Sequence, residues 1–432
     1  MSEPKTFHSW APTPPMGWNS WDCFGAAVNE QQVRANADYM AEHLLKHGWQ
    51  YVVVDIQWYE PKAKGWQYRP NAELMMDQYG RLLPASNRFP STADGKGFKA
   101  LADYVHSKGL KFGIHMMRGI ARQAVAQNTP VLNSTARASD IADKSSTCSW
   151  NGDMFGVDMS KPGAQEYYNS LFAQYAEWGV DFVKVDDLSR PYHKPEIEAI
   201  RKAIDATGRP MVFSTSPGAT PLAEGEHVAQ HANMWRISDD FWDKWQPLKE
   251  QFERCDHWSK FNAPGHFPDA DMLPFGAVRA SEKGHTNFTR DEQVTVMTLW
   301  AICRSPLMFG GHMPDNDEFT LGLLTNDEVL AVNQHSTGGR QLFRKDDLIA
   351  WVADAPDAPG EKYLAVFNAR DAASGQQNAT VEVPVELKDL GFTGACKVRD
   401  LWKHSDAGTF TGVFAPAVRY HGAALYRVSP AN

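Results

Sequence analysis

Aspartates at the ends of predicted β-strands are the residues of this sequence most able to do chemistry. They come from four strands: Asp55, Asp186 with Asp187, Asp239 with Asp240, and Asp269 with Asp271. One aspartate after a strand is ordinary, because this side chain favours turns and helix caps. Several carboxylates directed into one crevice repel each other and would destabilise the fold unless the cluster had a role. The pattern therefore indicates an acidic functional site.

Two kinds of catalysis use such a cluster. Metal-assisted hydrolysis needs histidine ligands, and His115 is the one histidine that clearly stands at a predicted strand end. Glycoside hydrolysis needs two carboxyl groups flanking one bond, one ionised and one protonated. We favour glycoside hydrolysis and expect no metal and no cofactor.

Asp186 and Asp240 can be assigned to the two roles from their placement. Lys184 stands two residues before Asp186, so both side chains face the same side of the strand. Its ammonium would keep Asp186 ionised by charge attraction, as a nucleophile requires. Asp240 follows a strand two further along, a separation suited to one sugar ring between them. The placement predicts Asp186 as nucleophile and Asp240 as acid/base.

A repeated unit of amphipathic helix, glycine and β-branched strand positions these aspartates. In the first unit, residues 30–47 have apolar side chains at helical spacing, Gly48 follows, and residues 51–56 read Tyr-Val-Val-Val-Asp-Ile. Glycine ends a helix easily because it adopts a left-handed backbone without steric penalty. The glycines of the next three units are Gly109, Gly179 and Gly208.

The units together predict a (β/α)8 TIM barrel. Further strands are expected near 15–21, 233–240, 261–273 and 304–310, with helices near 243–256 and 290–302. Strands that are apolar on both faces indicate a buried parallel sheet, and eight βα units indicate the barrel. A doubly wound open sheet is the alternative, but no glycine-rich dinucleotide fingerprint follows the first strand.

Two other regions differ from these units. Residues 121–160 read as a long polar insertion that overhangs the barrel mouth. After residue 336, short alternating segments such as 348–352 and 363–367 are separated by Asp-, Pro- and Gly-rich turns, which predicts an antiparallel β-sandwich. We therefore predict a catalytic barrel domain, 1–336, and a C-terminal β-sandwich domain, 337–432.

Composition limits the partners. The net charge of −9 without a Lys/Arg run argues against nucleic acid, and no apolar stretch approaches the roughly 18 residues of a membrane span. The first residues lack the apolar core of a signal peptide, which predicts a cytoplasmic protein unless a leader was removed. Five scattered cysteines without a CxxC pair argue against zinc and favour a reducing compartment. The 15 tryptophans fit either an aromatic core or sugar stacking.

Five ordered segments resemble glycoside hydrolase family 27, the α-galactosidases and α-N-acetylgalactosaminidases. They are PPMGWNSW (14–21), DYVHSKGLK (103–111), VDFVKVD (180–186), WRISDD (235–240) and PDADML (268–273). The resemblance implies double-displacement hydrolysis of terminal α-galactose-like sugars with retention of configuration, so that a carbohydrate is the expected partner. Asp186 matches the family nucleophile and Asp240 its acid/base, the two residues that placement also selects.

The resemblance also assigns residues to the sugar pocket. Family positions that line it match Trp21, Asp55, Lys184, Arg236 and Asp271. Each has a structural alternative: Trp21 could fill the core, and Lys184 or Arg236 could be plain salt-bridge partners.

One departure from the family bears directly on the substrate. Family α-galactosidases usually have two adjacent aspartates after strand two, which contact the hydroxyls at C4 and C6, whereas this sequence has Asp55 and Ile56. Isoleucine cannot accept a hydrogen bond, and burying the C6 hydroxyl unpaired would cost about 1–3 kcal/mol. β-L-Arabinopyranose has galactose stereochemistry without C6. Unless Ile56 points elsewhere, it therefore favours a β-L-arabinopyranosidase, an activity that the family includes.

Further departures leave alternatives open. His115 stands where a tyrosine is usual, and Ser216 replaces a glutamate that contacts the C2 hydroxyl. With Ala219, Ser216 resembles the α-N-acetylgalactosaminidase branch, although residues 216–219 depart from that branch as well. Leu188 replaces the cysteine of a local disulfide usual in the family. The alternatives are an α-N-acetylgalactosaminidase and a non-catalytic carbohydrate-binding protein, which would not need both catalytic aspartates.

Overall fold

Eight parallel strands form the centre of the molecule, a computed structural model that describes residues 5–376 and 378–431. The strands are β1 (Met16–Asn19), β2 (Tyr51–Val54), β3 (Lys111–Met117), β4 (Phe182–Asp186), β5 (Val212–Thr215), β6 (Met234–Arg236), β7 (Phe267–Asp269) and β8 (Leu307–Phe309). Their order in the sheet is β7-β6-β5-β4-β3-β2-β1-β8. Leu273 closes the circle: its N–H donates to Met308 O at 2.8 Å, and its carbonyl accepts from Gly310 N at 3.0 Å. The predicted barrel is confirmed.

Alternation along β2 explains why both faces of these strands are apolar. Tyr51 and Val53 belong to the cluster that fills the barrel interior, whereas Val52 and Val54 belong to the large core shared with the surrounding helices. Successive side chains point to opposite faces of a strand, so a strand covered on both sides must be apolar throughout.

Helices surround the barrel. They are α1 (Glu30–Tyr39), α2 (Lys99–Ser107), α3 (Ala164–Glu177), α4 (Lys194–Ala206), α5 (Gly225–Ala229), α6 (Trp245–Trp258), α7 (Arg290–Cys303) and α8 (Asp327–His335), with further short helices at Trp21–Phe24, Arg122–Gln127, Ala138–Ile141 and Glu318–Leu324. The four glycines predicted to end helices all have positive φ: Gly48 (93°), Gly109 (79°), Gly179 (83°) and Gly208 (68°). The helix predicted over 30–47 ends as an α-helix at Tyr39 and continues through a π turn, Met40–Leu44, and a 3-10 turn, Leu45–His47.

The insertion at 121–160 contains more regular structure than the sequence predicts. Besides two of the short helices, it carries most of a three-stranded sheet formed by Ile120–Ala121, Ala142–Thr147 and Met154–Val157. Ala142–Thr147, the longest of these strands, has no apolar residue after Ala142, so the apolar–polar alternation that indicates a strand is absent. Thr147, Ser149 and Trp150 line the cavity at the barrel mouth, which confirms that the insertion overhangs it.

The C-terminal part is built on a six-stranded antiparallel sheet. Its strands are β9 (Thr337–Lys345), β10 (Leu348–Asp354), β11 (Lys362–Asn368), β12 (Cys396–Asp400), β13 (Ser405–Phe410) and β14 (Ala423–Pro430), in the order β9-β10-β11-β14-β12-β13. Two two-stranded sheets, Thr380–Glu382 with Ala417–Arg419 and Val385–Glu386 with Val413–Phe414, accompany it. Ile349 and Trp351 join the barrel core, whereas Ala350 and Val352 form a core within the sandwich. The β-sandwich is confirmed.

Polar contacts join the sandwich to the barrel. Trp402 Nε1 donates to Thr298 Oγ1 of α7 at 2.9 Å, and Arg399 Nε donates to Glu328 of α8 at 2.7 Å. The His421 ring stacks on Trp245 with 3.5 Å between centroids. Helix α8 ends and β9 begins on either side of residue 336, but division into two domains there stays a prediction.

Within the described ranges, no helix has the length and apolar character needed to cross a membrane. All five cysteines fall in these ranges, and each carries a free thiol.

Candidate active site

The carboxyl ends of the barrel strands surround a cavity of about 650 Å³, the place where this fold carries its functional residues. Eight of the residues predicted for the site line it: Trp21, Asp55, Ile56, Lys184, Asp186, Arg236, Asp240 and Asp271. The cavity runs from a buried floor to an exposed rim. On the floor the side chain of Asp186 is 6% exposed, whereas that of Asp240 at the rim is 55% exposed.

Asp186 is the last residue of β4, and the barrel holds its carboxylate on the floor. Its Oδ2 accepts a hydrogen bond from His115 Nε2 at 2.8 Å, and its Oδ1 is buried without a hydrogen-bond partner among the described residues. Burial alone would raise the pKa of Asp186, but Lys184 and His115 outweigh burial and hold the pKa well below its usual range. An ionised carboxylate with one uncommitted oxygen can act as a nucleophile.

Lys184 contacts Asp55 directly and influences Asp186 from further away. Its Nζ donates to Asp55 Oδ2 at 2.9 Å, an oxygen that also accepts from Asn19 Nδ2 at 2.7 Å. The second oxygen of Asp55 accepts from the Ile56 backbone N–H at 2.9 Å. Burial lowers the pKa of Lys184, but Asp186 and Asp55 together raise it. The ammonium therefore stays charged beside both carboxylates.

Arg236, the last residue of β6, holds two further carboxylates. Its guanidinium lies 2.7 Å from Asp271 Oδ2 and 3.3 Å from Asp240 Oδ1. Burial raises the pKa of Asp271, and Arg236 opposes that rise. Burial, together with the charge of Asp271, raises the pKa of Asp269 to about 6. Asp271 also has a φ of +86°, a left-handed conformation that is uncommon for non-glycine residues.

His115 and Ser216 do not reach the cavity surface, although the sequence predicts both as sugar contacts. Each is fully buried, and His115 bonds Asp186 from below. In the parallel register, His115 is level with Lys184, and Asp186 is level with Met117. His115 is thus one layer deeper in the barrel than Asp186. Ser216 lines a small space of about 20 Å³, which shares Lys184 and Arg236 with the lining of the main cavity and has room for about one water molecule.

Ile56 lines the cavity beside Asp55 and is 1% exposed. Ile56 also belongs to the large core shared with the surrounding helices, so its contact with the sugar stays a prediction. Phe241 and Met272 are further apolar residues on the cavity wall.

Sequence reasoning missed an aromatic group on the cavity wall, formed by Trp66, Tyr68, Trp150 and Trp242. Tyr68 stacks on Trp21 with 6.1 Å between centroids, and burial, followed by the charge of Asp186, raises the pKa of its hydroxyl. These residues come from loops, where periodicity gives no signal. The available signal was a tryptophan, Trp150, within a polar insertion predicted to reach the mouth.

Asp22 is another cavity residue that the sequence did not single out. It follows Trp21 in the short helix Trp21–Phe24, is 3% exposed, and its Oδ2 has no hydrogen-bond partner among the described residues. Burial, reinforced by Asp271, raises the pKa of Asp22 well above its usual range. A buried carboxyl kept neutral in this way can donate a hydrogen bond to a ligand.

Three floor residues lie close enough together to bind one cation. Asp55, His115 and Asp186 each bring a donor atom within 4.8 Å of the others, but Lys184 already donates to Asp55 there. A divalent ion next to that ammonium would be repelled, so the lysine supplies the positive charge of the site. A second possible donor set lies near the surface, formed by Glu198, His227 and His231. Chemistry without a metal stays a prediction, which treatment with EDTA would test.

Comparison with known proteins identifies the family. Residues 13–161 and 155–335 match the family described as Alpha galactosidase A, and residues 345–428 match the Alpha galactosidase C-terminal beta sandwich domain. An α-galactosidase from Coffea arabica is 30% identical over 97% of this chain and 94% of its own. The chain therefore belongs to glycoside hydrolase family 27, and it is a glycoside hydrolase of the α-galactosidase type.

Two solved structures show a stronger similarity. A family 27 β-L-arabinopyranosidase from Geobacillus stearothermophilus, crystallised with arabinose, is 53% identical, covers 100% of both chains and has a TM-score of 0.95. A Bacillus halodurans protein, provisionally assigned as an α-N-acetylgalactosaminidase, is 50% identical over 97% of this chain and 98% of its own, with a TM-score of 0.86.

Proposed function

We propose that the protein is an exo-acting, retaining glycosidase that removes a terminal β-L-arabinopyranosyl residue, with Asp186 as nucleophile and Asp240 as acid/base. The observation that carries the proposal is the pairing of the two carboxylates in one cavity. Asp186 is buried, ionised and has one oxygen uncommitted, whereas Asp240 lies at the rim beside Arg236. Two carboxyl groups in different environments are what the double-displacement reaction requires.

The reaction follows from these positions. Asp240 gives its proton to the glycosidic oxygen while the Asp186 carboxylate attacks the anomeric carbon, so that the leaving group departs as an alcohol and a glycosyl-enzyme ester forms. Asp240, now ionised, removes a proton from water, and the water oxygen displaces Asp186 from the anomeric carbon. His115 donates to Oδ2, and this hydrogen bond stabilises the carboxylate when it is released.

Ile56 supports the pentose over the hexose. This apolar residue is part of the cavity lining next to Asp55. The oxygens of Asp55 are held by Lys184, Asn19 and the Ile56 N–H. A C6 hydroxyl buried against Ile56 would lose its hydrogen bonds to water at a cost of about 1–3 kcal/mol. A sugar without C6 avoids this cost. The 53% identical relative from Geobacillus stearothermophilus is a β-L-arabinopyranosidase, which agrees with this assignment.

A comparison of two substrates tests the proposal. We expect kcat/KM for nitrophenyl β-L-arabinopyranoside to exceed that for nitrophenyl α-D-galactoside by about five- to 150-fold, the ratio that 1–3 kcal/mol represents. The Ile56→Asp variant should move the preference toward galactose, and Ile56→Val is the matched apolar control. A wild-type preference for the galactoside, or no movement in Ile56→Asp, would contradict the proposed substrate.

The second candidate is α-N-acetylgalactosaminidase activity, which the similarity to the Bacillus halodurans protein favours. It requires space for an acetamido group beside Ser216. The space at Ser216 is about 20 Å³, about the volume for one water molecule. We therefore rank this activity second, and hydrolysis of nitrophenyl α-N-acetylgalactosaminide at a rate above that of the arabinopyranoside would reverse the order.

A further inference from the structure

The cavity extends well beyond the residues that would hold one sugar. Its volume of about 650 Å³ falls within the roughly 300–1,000 Å³ of pockets that enclose drug-sized ligands. The proposed sugar contacts Asp55, Asp186 and Arg236 are buried on the floor, while Trp150 and Arg190 are exposed at the rim. The floor accounts for one pyranose ring and leaves the rim without an assigned ligand.

Aromatic rings follow one wall from the floor to the rim. The rings of Trp21 and Tyr68 lie nearly parallel, at 18°, with centroids 6.1 Å apart. Tyr68 then contacts Trp150 with 5.7 Å between centroids. Trp66 supports the start of the series, because its Nε1 donates to the Trp21 carbonyl at 3.1 Å. The wall therefore offers ring faces at increasing distance from the floor.

Trp150 is the exposed end of this series. At 39% exposure it is the only aromatic residue among the four large apolar side chains that the described residues leave exposed. An indole ring held at a cavity rim can stack on the apolar face of a ligand ring. Its position in the insertion, next to Ser149 on the same cavity wall, adds a hydroxyl within the same zone.

Charged and aromatic groups from the loops after β4 and β6 complete the rim. Arg190 forms an ion pair with Asp239. Asp239 directly precedes Asp240 in the chain, and Trp242 stands two residues after Asp240. All of these residues line the same cavity as Trp150. Exposed charged groups of this kind can exchange hydrogen bonds with sugar hydroxyls at little desolvation cost.

We propose that the rim is an aglycone subsite in which a second pyranose ring, linked to the sugar to be removed, stacks on Trp150. The inference rests on the proposed function, because an oxygen protonated by the exposed Asp240 departs on the rim side of the cavity. The substrate class is then a disaccharide or a longer saccharide that ends in β-L-arabinopyranose. The floor selects the terminal sugar, and Trp150 with the Arg190–Asp239 pair selects its neighbour.

Two substrates that differ in their leaving groups test this inference. β-L-Arabinopyranosyl fluoride has no second ring, whereas a β-L-arabinopyranosyl hexoside disaccharide has one. In Trp150→Ala the ratio of kcat/KM for the disaccharide to that for the fluoride should fall about tenfold, the loss expected for one ring-stacking contact. Trp150→Phe, which keeps a smaller ring, should recover part of the ratio. Leu222→Ala removes another exposed apolar side chain, 40% exposed and outside the cavity lining, and should leave the ratio unchanged.

Each outcome bears on a separate statement. An unchanged ratio in Trp150→Ala, or an equal fall with Leu222→Ala, would overturn the subsite. If wild-type enzyme fails to hydrolyse the fluoride, the proposed function fails, whatever Trp150 does. Because Trp150 is exposed, the variant should fold, and an unfolding midpoint near that of the wild type would confirm that the ratio reports on binding.

Discussion

The two carboxylates of the site lie in environments of opposite kind. Asp186 is 6% exposed, receives a hydrogen bond from His115 and has its pKa held low despite burial. Asp240 is 55% exposed, and its one polar side-chain contact among the described residues is long, 3.3 Å from Arg236. The barrel therefore fixes one carboxylate in geometry and charge, and it leaves the other free to exchange protons with solvent. A nucleophile and an acid/base need these two different conditions.

A similar contrast separates the floor of the cavity from its rim. Floor residues belong to strand ends and are held by buried ion pairs, such as Lys184 with Asp55 and Arg236 with Asp271. Rim residues such as Trp150 belong to loops. Fixed geometry suits recognition of one sugar, while loops can vary between relatives that act on different leaving groups.

The largest effect is expected from removing the buried carboxylate. Asp186→Ala should lower kcat by more than about 10⁴-fold, because the proposed glycosyl-enzyme ester forms on its carboxylate. Calorimetry with free arabinose should still detect binding, since Asp55 and Arg236 remain in place. A protein that only binds carbohydrate would show no turnover before or after the change, so measurable wild-type activity separates the two functions.

The control for this variant is a carboxylate outside the site. Asp103 of α2 pairs with Lys99, and its side chain is 55% exposed, as that of Asp240 is. Asp103→Ala should leave kcat and KM at wild-type values, and a large loss of activity in this control would show that general effects of charge account for the result.

The second-largest loss of activity is expected from removing the exposed carboxylate, Asp240. Asp240→Ala should lower kcat by about 10²–10⁴-fold for substrates with poor leaving groups, the usual contribution of general acid–base catalysis. Activated aryl substrates should lose less, because their leaving groups need little protonation. Kinetics across a series of aryl leaving groups measures this, and equal losses over the series would argue against an acid role.

Azide sharpens the comparison, because its product depends on which carboxylate is missing. In Asp240→Ala, azide attacks the glycosyl-enzyme and should give an azido sugar with the starting anomeric configuration. In Asp186→Ala, azide can only displace the leaving group directly and should give the opposite anomer. NMR assigns the anomers, and the same anomer from both variants would mean that the two roles are not divided as proposed.

Much of the division of roles between Asp186 and Asp240 could be predicted from the sequence, since it depends on the regular strands that carry them. Apolar runs such as Tyr51–Val54 located the strands, and the fold then placed Asp55, Asp186 and Asp271 around one cavity. Depth within the barrel could not be predicted. His115 lies one layer below Asp186 because of the register between β3 and β4, and register depends on strand tilt, which periodicity does not encode.

The loops were the second region beyond the reach of the sequence. Tyr68 and Trp150 meet on the cavity wall although 82 positions separate them (150 − 68), and no spacing rule links residues of two irregular segments. The short strands of the insertion were missed for the same reason. Loops could be predicted to surround the mouth, but not which side chains they would bring together.

The smallest effect tests how the floor keeps Asp186 ionised. His115→Leu removes the hydrogen bond to Asp186 Oδ2. Burial raises the pKa of Asp186, and in this variant Lys184 opposes that rise without His115, so the pKa should increase. Because Asp186 acts as a carboxylate, a higher pKa extends the inactive, protonated form to higher pH. The acid limb of the kcat/KM profile should therefore move to higher pH by about one to two pH units, which corresponds to the ~1.5–3 kcal/mol of one hydrogen bond to a charged group. His115→Gln keeps a hydrogen-bond donor and should move the acid limb part of the way back to its wild-type position. If the acid limbs of wild type and His115→Leu superimpose, Lys184 alone sets the charge of Asp186.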